Sequence, residues 1–552
     1  MHSEIITLMK LLIITSFILT FCINSFSQNP TVPSEKPKLI IGIVVSEMRY
    51  DYLTRYWDKF GDGGFKRLIN GGTYCKNAHH DYLISESGEG LATIATGAYP
   101  DVHGIVSDYW YDRLKDKITF CVSDEKVSST GGAFEQGRYS PVSMLTSTLS
   151  DQARVAGQFK PKVISISLDP RAAVLSGGHA ANGAYWFDTE RGKWISSSYY
   201  ADSLPVWVDD FNSKGFPELY LQRFWEPLLP LESYTASLPD DNIYESGFSG
   251  KKVFPYDLNK MTMIKKGQRD FNMLRYTPFG NSLTKDFAVA SLVQEELGKD
   301  DDTDWLQIAF SATGYLGDKF SSGSAEIQDT YLRLDQDIEH FLNFLDEQVG
   351  MKNVLIYLTA DNAMADDPAF LTAQGLPAGY FNYNSAMSLL GTYLNLIYGK
   401  GDWIRFYYAQ QIYLNRDLIE NSKLSLPEFQ NVVAAFMIQF EGVSNTLTST
   451  NLMTNNYTRG FFEKIQKSYS QKRSGDILLH LSPGWTEKGI DKQYSSSFRY
   501  DTHVPLIWYG WKIKRTSIFR PVSVTDIMPT IAVFLDIPRS GGLEGNLIEE
   551  LF

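Results

Sequence analysis

The stretch KPKLIIGIVVSEM, residues 36–48, decides the fold of this 552-residue chain. It contains an unbroken apolar run, Leu39–Val45, that ends in Ser46 and Glu47. A run without polar alternation is typical of a strand buried on both faces, as in the middle of a parallel sheet. We therefore predict a central strand here. If its alternation continues beyond the run, Ser46 and Glu47 point to opposite sides of the sheet.

Four more apolar runs of strand length follow along the chain. They are KVISISL (162–168), DWLQIAF (304–310), VLIYLTAD (354–361) and HVPLIWYG (503–510). Helices are predicted between them, over 60–80, from near Gly88, over 326–349 and over 524–537. This alternation predicts an α/β fold, a three-layer sandwich around a mostly parallel central sheet. The run 354–361 places Asp361 at a carboxyl end, where such sheets carry their sites.

Two long stretches interrupt the alternation of strands and helices. Residues 180–290 are rich in Trp, Tyr, Pro and Asp, and residues 365–470 contain further elements such as WIRFYYAQQIYLN. We interpret both as insertions that form a cap over the strand ends. The chain is therefore predicted to be one domain, residues 29–552, with two cap insertions.

The N-terminus resembles an export signal. Lys10 precedes an apolar segment that is followed by the small residues Ser25 and Ser27, so residues 1–28 are predicted to be a cleaved signal peptide. A membrane anchor is the alternative, but the run is shorter than the roughly 20 residues that a bilayer needs. Cys22 lacks a good lipidation motif. No transmembrane segment is expected after cleavage.

The composition is that of a globular protein, with 43% hydrophobic and 14% aromatic residues. A net charge of −13 argues against binding of nucleic acid through bulk electrostatics. Cys75 and Cys121 remain after the signal, and their spacing leaves open whether they form a disulfide. Histidine is scarce, with eight in the chain.

Several longer motifs in order give the chain a family resemblance. They are IGIVVSEMRYDYLTRYWDKFGDGGFKRLINGG, GAYPDVHGIVSDYWYDR, VISISLDPRAAVLSGGHAANGAYWFD, YDTHVPLIWYGW and VTDIMPTIAVFLDIP. With them the chain resembles the alkaline phosphatase superfamily, in particular the monomeric secreted phosphatases of the Bacteroidetes type, near the nucleotide pyrophosphatases/phosphodiesterases. The resemblance implies two zinc ions held by three Asp and three His, with a Thr or Ser nucleophile between them.

This sequence departs from the family at the positions that would hold zinc. The positions, in chain order, are occupied by Ser46, Gly314, Asp318, Asp361, Asn362 and Tyr494, with Gln493 as the alternative to Tyr494. Only Asp361 is the residue that the family pattern has there, and His503 belongs to a scaffold motif. We therefore predict a degenerate zinc site that binds no metal.

The positions that would contact the substrate are also altered. Ser87 stands at the nucleophile position, where a helix start offers backbone donors to an anion. Asp108 replaces an asparagine, and Asp169 replaces the lysine of a Lys-x-Arg pair whose arginine is Arg171. These changes substitute negative charge for phosphate-binding groups. Arg171 is predicted to pair with Asp169 or Asp108 instead.

Two functional hypotheses follow from these positions. The first is a catalytically inactive phosphatase-like protein, a pseudoenzyme of the cell envelope that acts by binding or in an assembly with envelope proteins. It would be exported, to the periplasm, outer membrane or exterior of a Gram-negative bacterium, and would need no cofactor. The second is a divergent phosphoester or sulfatase-like hydrolase with Ser87 as nucleophile. Its Ca²⁺ or Mg²⁺ would be held by an oxygen-rich set: Ser46, Glu86, Glu89, Asp108, Asp318, Asp361 and Asn362.

Overall fold

The computed structural model describes residues 35–83, 86–265, 268–487, 498–538 and 542–552. The predicted signal peptide, Gln493 and Tyr494 lie outside these ranges. Eleven strands form the central sheet. They are β1 (Leu39–Val45), β2 (Thr73–His79), β3 (Ser129–Thr130), β4 (Val163–Ser167), β5 (Gly183–Asp188), β6 (Lys193–Ser197), β7 (Asp304–Phe310), β8 (Val354–Thr359), β9 (His503–Gly510), β10 (Thr516–Ile518) and β11 (Val522–Ser523).

Strand β1 lies in the middle of this sheet. The order is β10-β2-β9-β8-β1-β7-β4-β5-β6-β3, and β11 pairs with β2. β1 runs parallel to β7 and β8, with Leu39 opposite Asp304 and Val354, and all seven of its residues are buried. Antiparallel pairs occur toward both edges, at β8/β9, β9/β2, β5/β6 and β6/β3. The predicted α/β fold with a mostly parallel sheet is confirmed.

Helices lie around the sheet and in the inserted regions. Those of eight or more residues are α1 (Ser87–Thr96), α2 (Leu149–Ala156), α3 (Pro170–Gly177), α4 (Val206–Ser213), α5 (Pro278–Gln294), α6 (Ala325–Gln348), α7 (Tyr383–Tyr398), α8 (Leu426–Met437), α9 (Gly460–Lys467) and α10 (Ile527–Phe534). Shorter ones are Tyr52–Arg55, Phe65–Gly71, Pro100–His103, Phe216–Leu221, Leu258–Met261, Ala312–Gly317, Pro368–Ala373, Arg416–Asn421, Ser449–Thr454 and Arg499–Thr502. None of the described helices is long and apolar enough to cross a membrane.

The predicted helix over 60–80 is wrong in its second half. The helix Phe65–Gly71 ends at paired glycines, and β2 follows at once. A Cβ on Gly72 would lie 2.0 Å from the carbonyl oxygen of Trp508, so the chain enters β2 against the backbone of β9. The pairing partner β9 lies near the opposite end of the chain, and no local apolar pattern indicates it.

The two ranges predicted as caps differ in structure. In 180–290, β5 and β6 extend the central sheet and α5 packs against α6 and β7. In 365–470, three strands join Ile477–Leu481 in a separate four-stranded sheet with its own core: Ile404–Tyr408, Gln411–Leu414 and Val443–Thr448. Small strand pairs complete the fold: Tyr109–Asp112 with Lys117–Phe120, Phe224–Trp225 with Tyr256–Asp257, Met263–Lys265 with Gln268–Arg269, and Gly379–Phe381 with Trp485–Glu487. Cys75 and Cys121 are both buried as thiols.

A buried carboxyl group makes the stability of this scaffold depend on pH. Glu326, in the first turn of α6, is fully buried, and the hydroxyl of Tyr256 donates a hydrogen bond to its Oε1 over 2.5 Å. Burial raises the pKa of this carboxyl to about 9. The folded protein therefore holds a proton that the unfolded chain, ionising near an ordinary pKa of about 4.3, has released.

The unfolding free energy is expected to fall as the pH rises from about 5 to 8, because the unfolded state loses the proton first. Glu326 alone contributes up to about 1.4 kcal/mol per pH unit. Glu326→Gln, which stays neutral, should flatten this slope in urea unfolding at several pH values. Glu232→Gln at the surface is the control. An unchanged slope in Glu326→Gln would contradict the assignment.

Candidate functional site

A pocket of about 680 Å³ lies at the carboxyl ends of the central strands. It is lined by seven of the predicted positions: Ser46, Ser87, Asp108, Asp169, Arg171, Gly314 and Asp318. Asp361 accepts a hydrogen bond from the hydroxyl of Ser46, and the Ser87 side chain lies close enough to lower the pKa of Asp361. The fold thus brings together residues that follow five different strands of the central sheet: β1, β2, β4, β7 and β8.

Ser46 and Glu47 both face the pocket, so the prediction that they point to opposite sides is wrong. The extended backbone ends at Val45, and Glu47 adopts a left-handed conformation with φ 57°. Alternation applies only while the chain remains extended. The backbone of Glu47 is held from both sides, since its N–H donates to Asp361 over 2.9 Å and its carbonyl accepts from the N–H of Met364 over 3.2 Å.

Asp361 is engaged by donors of the protein itself. Its Oδ1 accepts from the backbone N–H of Glu47 over 2.9 Å and of Asn362 over 3.0 Å. Its Oδ2 accepts from the hydroxyl of Ser46 over 2.9 Å. Burial raises the pKa of this carboxyl despite these hydrogen bonds. Asp361 therefore acts as the buried acceptor that joins three strand-end loops.

Gly314 lies in the short helix Ala312–Gly317, and Asp318 is the residue that follows this helix. A Cβ at position 314 would lie 2.6 Å from Oγ of Ser46. The present arrangement of Ser46 thus leaves no room for an aspartate side chain at 314. Asp318 lines the pocket at the far end of the helix.

Ser87 is the first residue of α1, and the two glutamates beside it form the cap of that helix. Glu86 also accepts from the N–H of Asp108 and from the hydroxyl of Tyr408, each over 2.7 Å. Neither Glu86 nor Glu89 lines the pocket. Within the described ranges, no group of three or more His, Cys, Asp or Glu side chains is placed to hold a metal ion. No three of the five carboxylates in the oxygen-rich set, Glu86, Glu89, Asp108, Asp318 and Asp361, are therefore grouped so that they could hold an ion.

Arg171 is bonded to two carboxylates at once. Its guanidinium group donates to Asp108 through Nη1 and to Asp169 through Nε and Nη2. Asp169 also accepts from the hydroxyl of Tyr315 over 3.0 Å and caps α3. The side chains of Asp108 and Asp169 are 1% and 7% exposed, so this is a buried ion triad. The predicted pairing of Arg171 is confirmed, with both partners rather than one.

One wall of the pocket is aromatic, and the sequence-based prediction of the site named none of its residues as site residues. The ring of Tyr109 lies 4.9 Å from Phe120 and 5.5 Å from Tyr408, and Phe120 lies 5.8 Å from Tyr139. All four rings line the pocket. Tyr408 comes from the predicted cap 365–470, whereas Tyr109 and Phe120 come from the hairpin 109–120. The aromatic density of YWYD (109–112) was the available signal.

Two histidines near the strand ends have partners in the scaffold. The ring nitrogens of His80 are 3.0 Å from the carbonyl oxygen of Ala360 and 3.1 Å from the hydroxyl of Tyr82. His503, in β9, stacks on Tyr50 with centroids 4.1 Å apart. Neither histidine lines the pocket.

Residues 40–499 match the family model for type I phosphodiesterases/nucleotide pyrophosphatases. A protein of Myroides odoratus named calcium-transporting ATPase is 36% identical over 536 residues, which cover 96% of this chain and 97% of that protein. Alkaline phosphatase PafA of Elizabethkingia meningoseptica is 37% identical over 525 residues, 94% of each chain. The crystal structure of wild-type PafA superposes with a TM-score of 0.89 over 94% of this chain and 99% of that one.

A solved variant of PafA, with a TM-score of 0.88, carries four substitutions. They replace a threonine, an asparagine, a lysine and an arginine, in that order. The lysine and the arginine are separated by a single position, as in a Lys-x-Arg pair.

Proposed function

Since this chain belongs to the type I phosphodiesterase/nucleotide pyrophosphatase family of the alkaline phosphatase superfamily, we propose that it is a catalytically inactive member that retains the fold and the pocket. The family consists of metal-dependent phosphoric-ester hydrolases, and the relatives named above include an alkaline phosphatase. In an inactive member, the role of the retained pocket would be to bind a ligand or a partner protein.

The main support for the proposal is that the protein's own donors occupy the carboxylate of Asp361. Zinc in this family would be held by carboxylates and imidazoles, which are its usual oxygen and nitrogen ligands. Among the described ligand positions, Ser46, Gly314 and Asn362 supply neither group, and Asp318 stands where a histidine is expected. Asp361 remains, but both of its oxygens accept hydrogen bonds from the protein. These residues do not fit a zinc pair.

The substrate-contacting positions support the same conclusion. The spacing of Ser87, Asp108, Asp169 and Arg171 along the chain follows that of the four residues substituted in the PafA variant to within one position. Asp108 then takes the place of the asparagine and Asp169 that of the lysine. The remaining arginine is bound to both new carboxylates, so a phosphoryl group would have to displace a buried ion triad.

We also propose export and a partner in the cell envelope. Support comes from the predicted signal at 1–28 and from the retained pocket. Affinity purification from the native envelope tests this, and recovery of the uncleaved protein from the cytosol without any co-purifying protein would contradict it.

A second function, a divergent phosphoesterase, is favoured by one contact. The Ser87 side chain lies close enough to Asp361 to lower the pKa of that carboxyl, and the residue stands at the start of α1 facing the pocket. A carboxylate in that position can orient a hydroxyl and accept its proton, which is how a nucleophile is activated by an adjacent base.

Metal content and turnover separate the two functions. The purified chain is expected to retain less than about 0.1 zinc per molecule after dialysis and to hydrolyse p-nitrophenyl phosphate no faster than Ser87→Ala, since two-metal catalysis needs both ions. The assay is repeated with Zn²⁺, Mg²⁺ and Ca²⁺ added, and with bis-p-nitrophenyl phosphate and p-nitrophenyl sulfate. Turnover that falls about 100-fold or more in Ser87→Ala would overturn the proposal and support the phosphoesterase.

A further inference from the structure

The pocket has an excess of negative charge. Seven carboxylates and four basic side chains line it, which leaves a charge of −3 when all are ionised. Two of the basic groups are ion-paired within the lining: Arg171 with Asp108 and Asp169, and Lys117 with Glu125. A pocket with this balance disfavours a phosphate dianion and attracts a cation.

The two changed substrate positions account for this excess. A lysine at 169 in place of aspartate would add two units of charge, and an asparagine at 108 would add one. With a lysine at 169 and an asparagine at 108, and with the other lining residues unchanged, the same lining would be neutral. The change of charge therefore lies at the position where the substrate's phosphoryl group would bind, which points to a change in the class of ligand.

The aromatic wall is an independent indication of a ligand and of its charge. The rings of Tyr109, Phe120, Tyr139 and Tyr408 line a pocket of about 680 Å³, a volume within the range of small-molecule sites, about 300–1,000 Å³. Tyr109 keeps 38% of its surface exposed, at the rim. Aromatic faces attract ammonium and guanidinium groups, and carboxylates that face the same space strengthen that preference.

We propose that the pocket binds a small organic cation that carries ammonium groups. One ammonium group would lie near Glu47 and Asp318 at the strand ends, and a second would lie against the aromatic wall. This inference rests on the proposed loss of phosphoester chemistry, because an active site of the family would need the pocket for an anion.

Titration calorimetry with spermidine tests the inference on the full mature chain. We expect saturable binding near one molecule per chain, and a loss of affinity of about tenfold or more in Glu47→Gln/Asp318→Asn. AMP and inorganic phosphate should bind more weakly than spermidine. Because the chain has a net charge of −13, a surface control is needed. Asp209→Asn/Asp210→Asn removes the same charge from an exposed part of α4 and should leave the affinity within about twofold.

Several outcomes would overturn the inference. The first is an equal loss of affinity for spermidine in Glu47→Gln/Asp318→Asn and in Asp209→Asn/Asp210→Asn. The second is tighter binding of AMP or phosphate than of spermidine. The third is displacement of spermidine by Mg²⁺ at the same concentration. If Glu47→Gln/Asp318→Asn does not fold, Tyr109→Ala serves as the second variant. An unchanged affinity for spermidine in Tyr109→Ala would also overturn the inference. Zinc-dependent turnover would refute the proposed function whether or not spermidine binds. Lack of binding by a protein without turnover refutes this inference alone.

Discussion

Replacing Arg171 with alanine is expected to lower the free energy of unfolding by about 3–5 kcal/mol, because it removes the guanidinium group with which the buried carboxylates of Asp108 and Asp169 are ion-paired. The two carboxylates are 1% and 7% exposed and both bond to the guanidinium group. In an enzyme that uses this arginine for substrate, the corresponding change would affect activity more than stability. The measurement is urea unfolding monitored by tryptophan fluorescence.

The matched control is Arg520→Ala. Arg520 also bonds to a carboxylate through two nitrogens, but its side chain is 41% exposed and that of Glu550 is 38% exposed. Its removal is expected to change stability by less than about 1 kcal/mol. Adding Asp108→Asn and Asp169→Asn to Arg171→Ala should recover part of the loss. If Arg171→Ala lowers the free energy of unfolding by no more than Arg520→Ala does, the contacts of Arg171 with Asp108 and Asp169 do not stabilise the protein as a buried ion triad would.

Replacing Gly90 with alanine is expected to destabilise the protein by about 3 kcal/mol or more, or to prevent folding. The added Cβ would lie 1.9 Å from the carbonyl oxygen of Asp361, and backbone atoms cannot rotate away as a side chain can. Helix α1 would have to move off the end of β8. That movement would also separate Ser87 from Asp361, so circular dichroism melting is the first measurement.

Gly391→Ala is the control for Gly90→Ala. Gly391 also lies inside a helix, α7, but a Cβ there would meet no atom within 4 Å. The same chemical change should stabilise the protein by about 0.5–1 kcal/mol through helix propensity. Equal effects of the two substitutions would show that the close approach of α1 to Asp361 does not constrain the fold.

Much of the fold was predictable because burial patterns are local. The five predicted strands exist, and the unbroken run of β1 placed it correctly in the middle of the sheet. β2 was missed because its place depends on pairing with β9, which the residues of β2 do not encode alone.

The site was predictable in its members but not in its geometry. Seven positions chosen from the sequence meet in one pocket, and Arg171 was expected to pair with one of two aspartates. The orientation of Glu47 was wrong because a left-handed residue ends the alternation. Which aromatic residues form the wall was not predictable, because Tyr109 and Tyr408 come from distant parts of the chain and meet only in the folded protein.

The sequence by itself determined which side chains stand at the strand ends, and therefore which ligand groups this chain can offer. The identity of these side chains is a local property, because the residue at the end of a strand is the one that follows its apolar run in the sequence. Only the tertiary structure decided how those side chains are used: Asp361 as a shared acceptor, Arg171 inside a triad, and aromatic rings and carboxylates lining one pocket. These contacts join segments far apart in the chain, so their energies depend on packing and burial that no local pattern specifies.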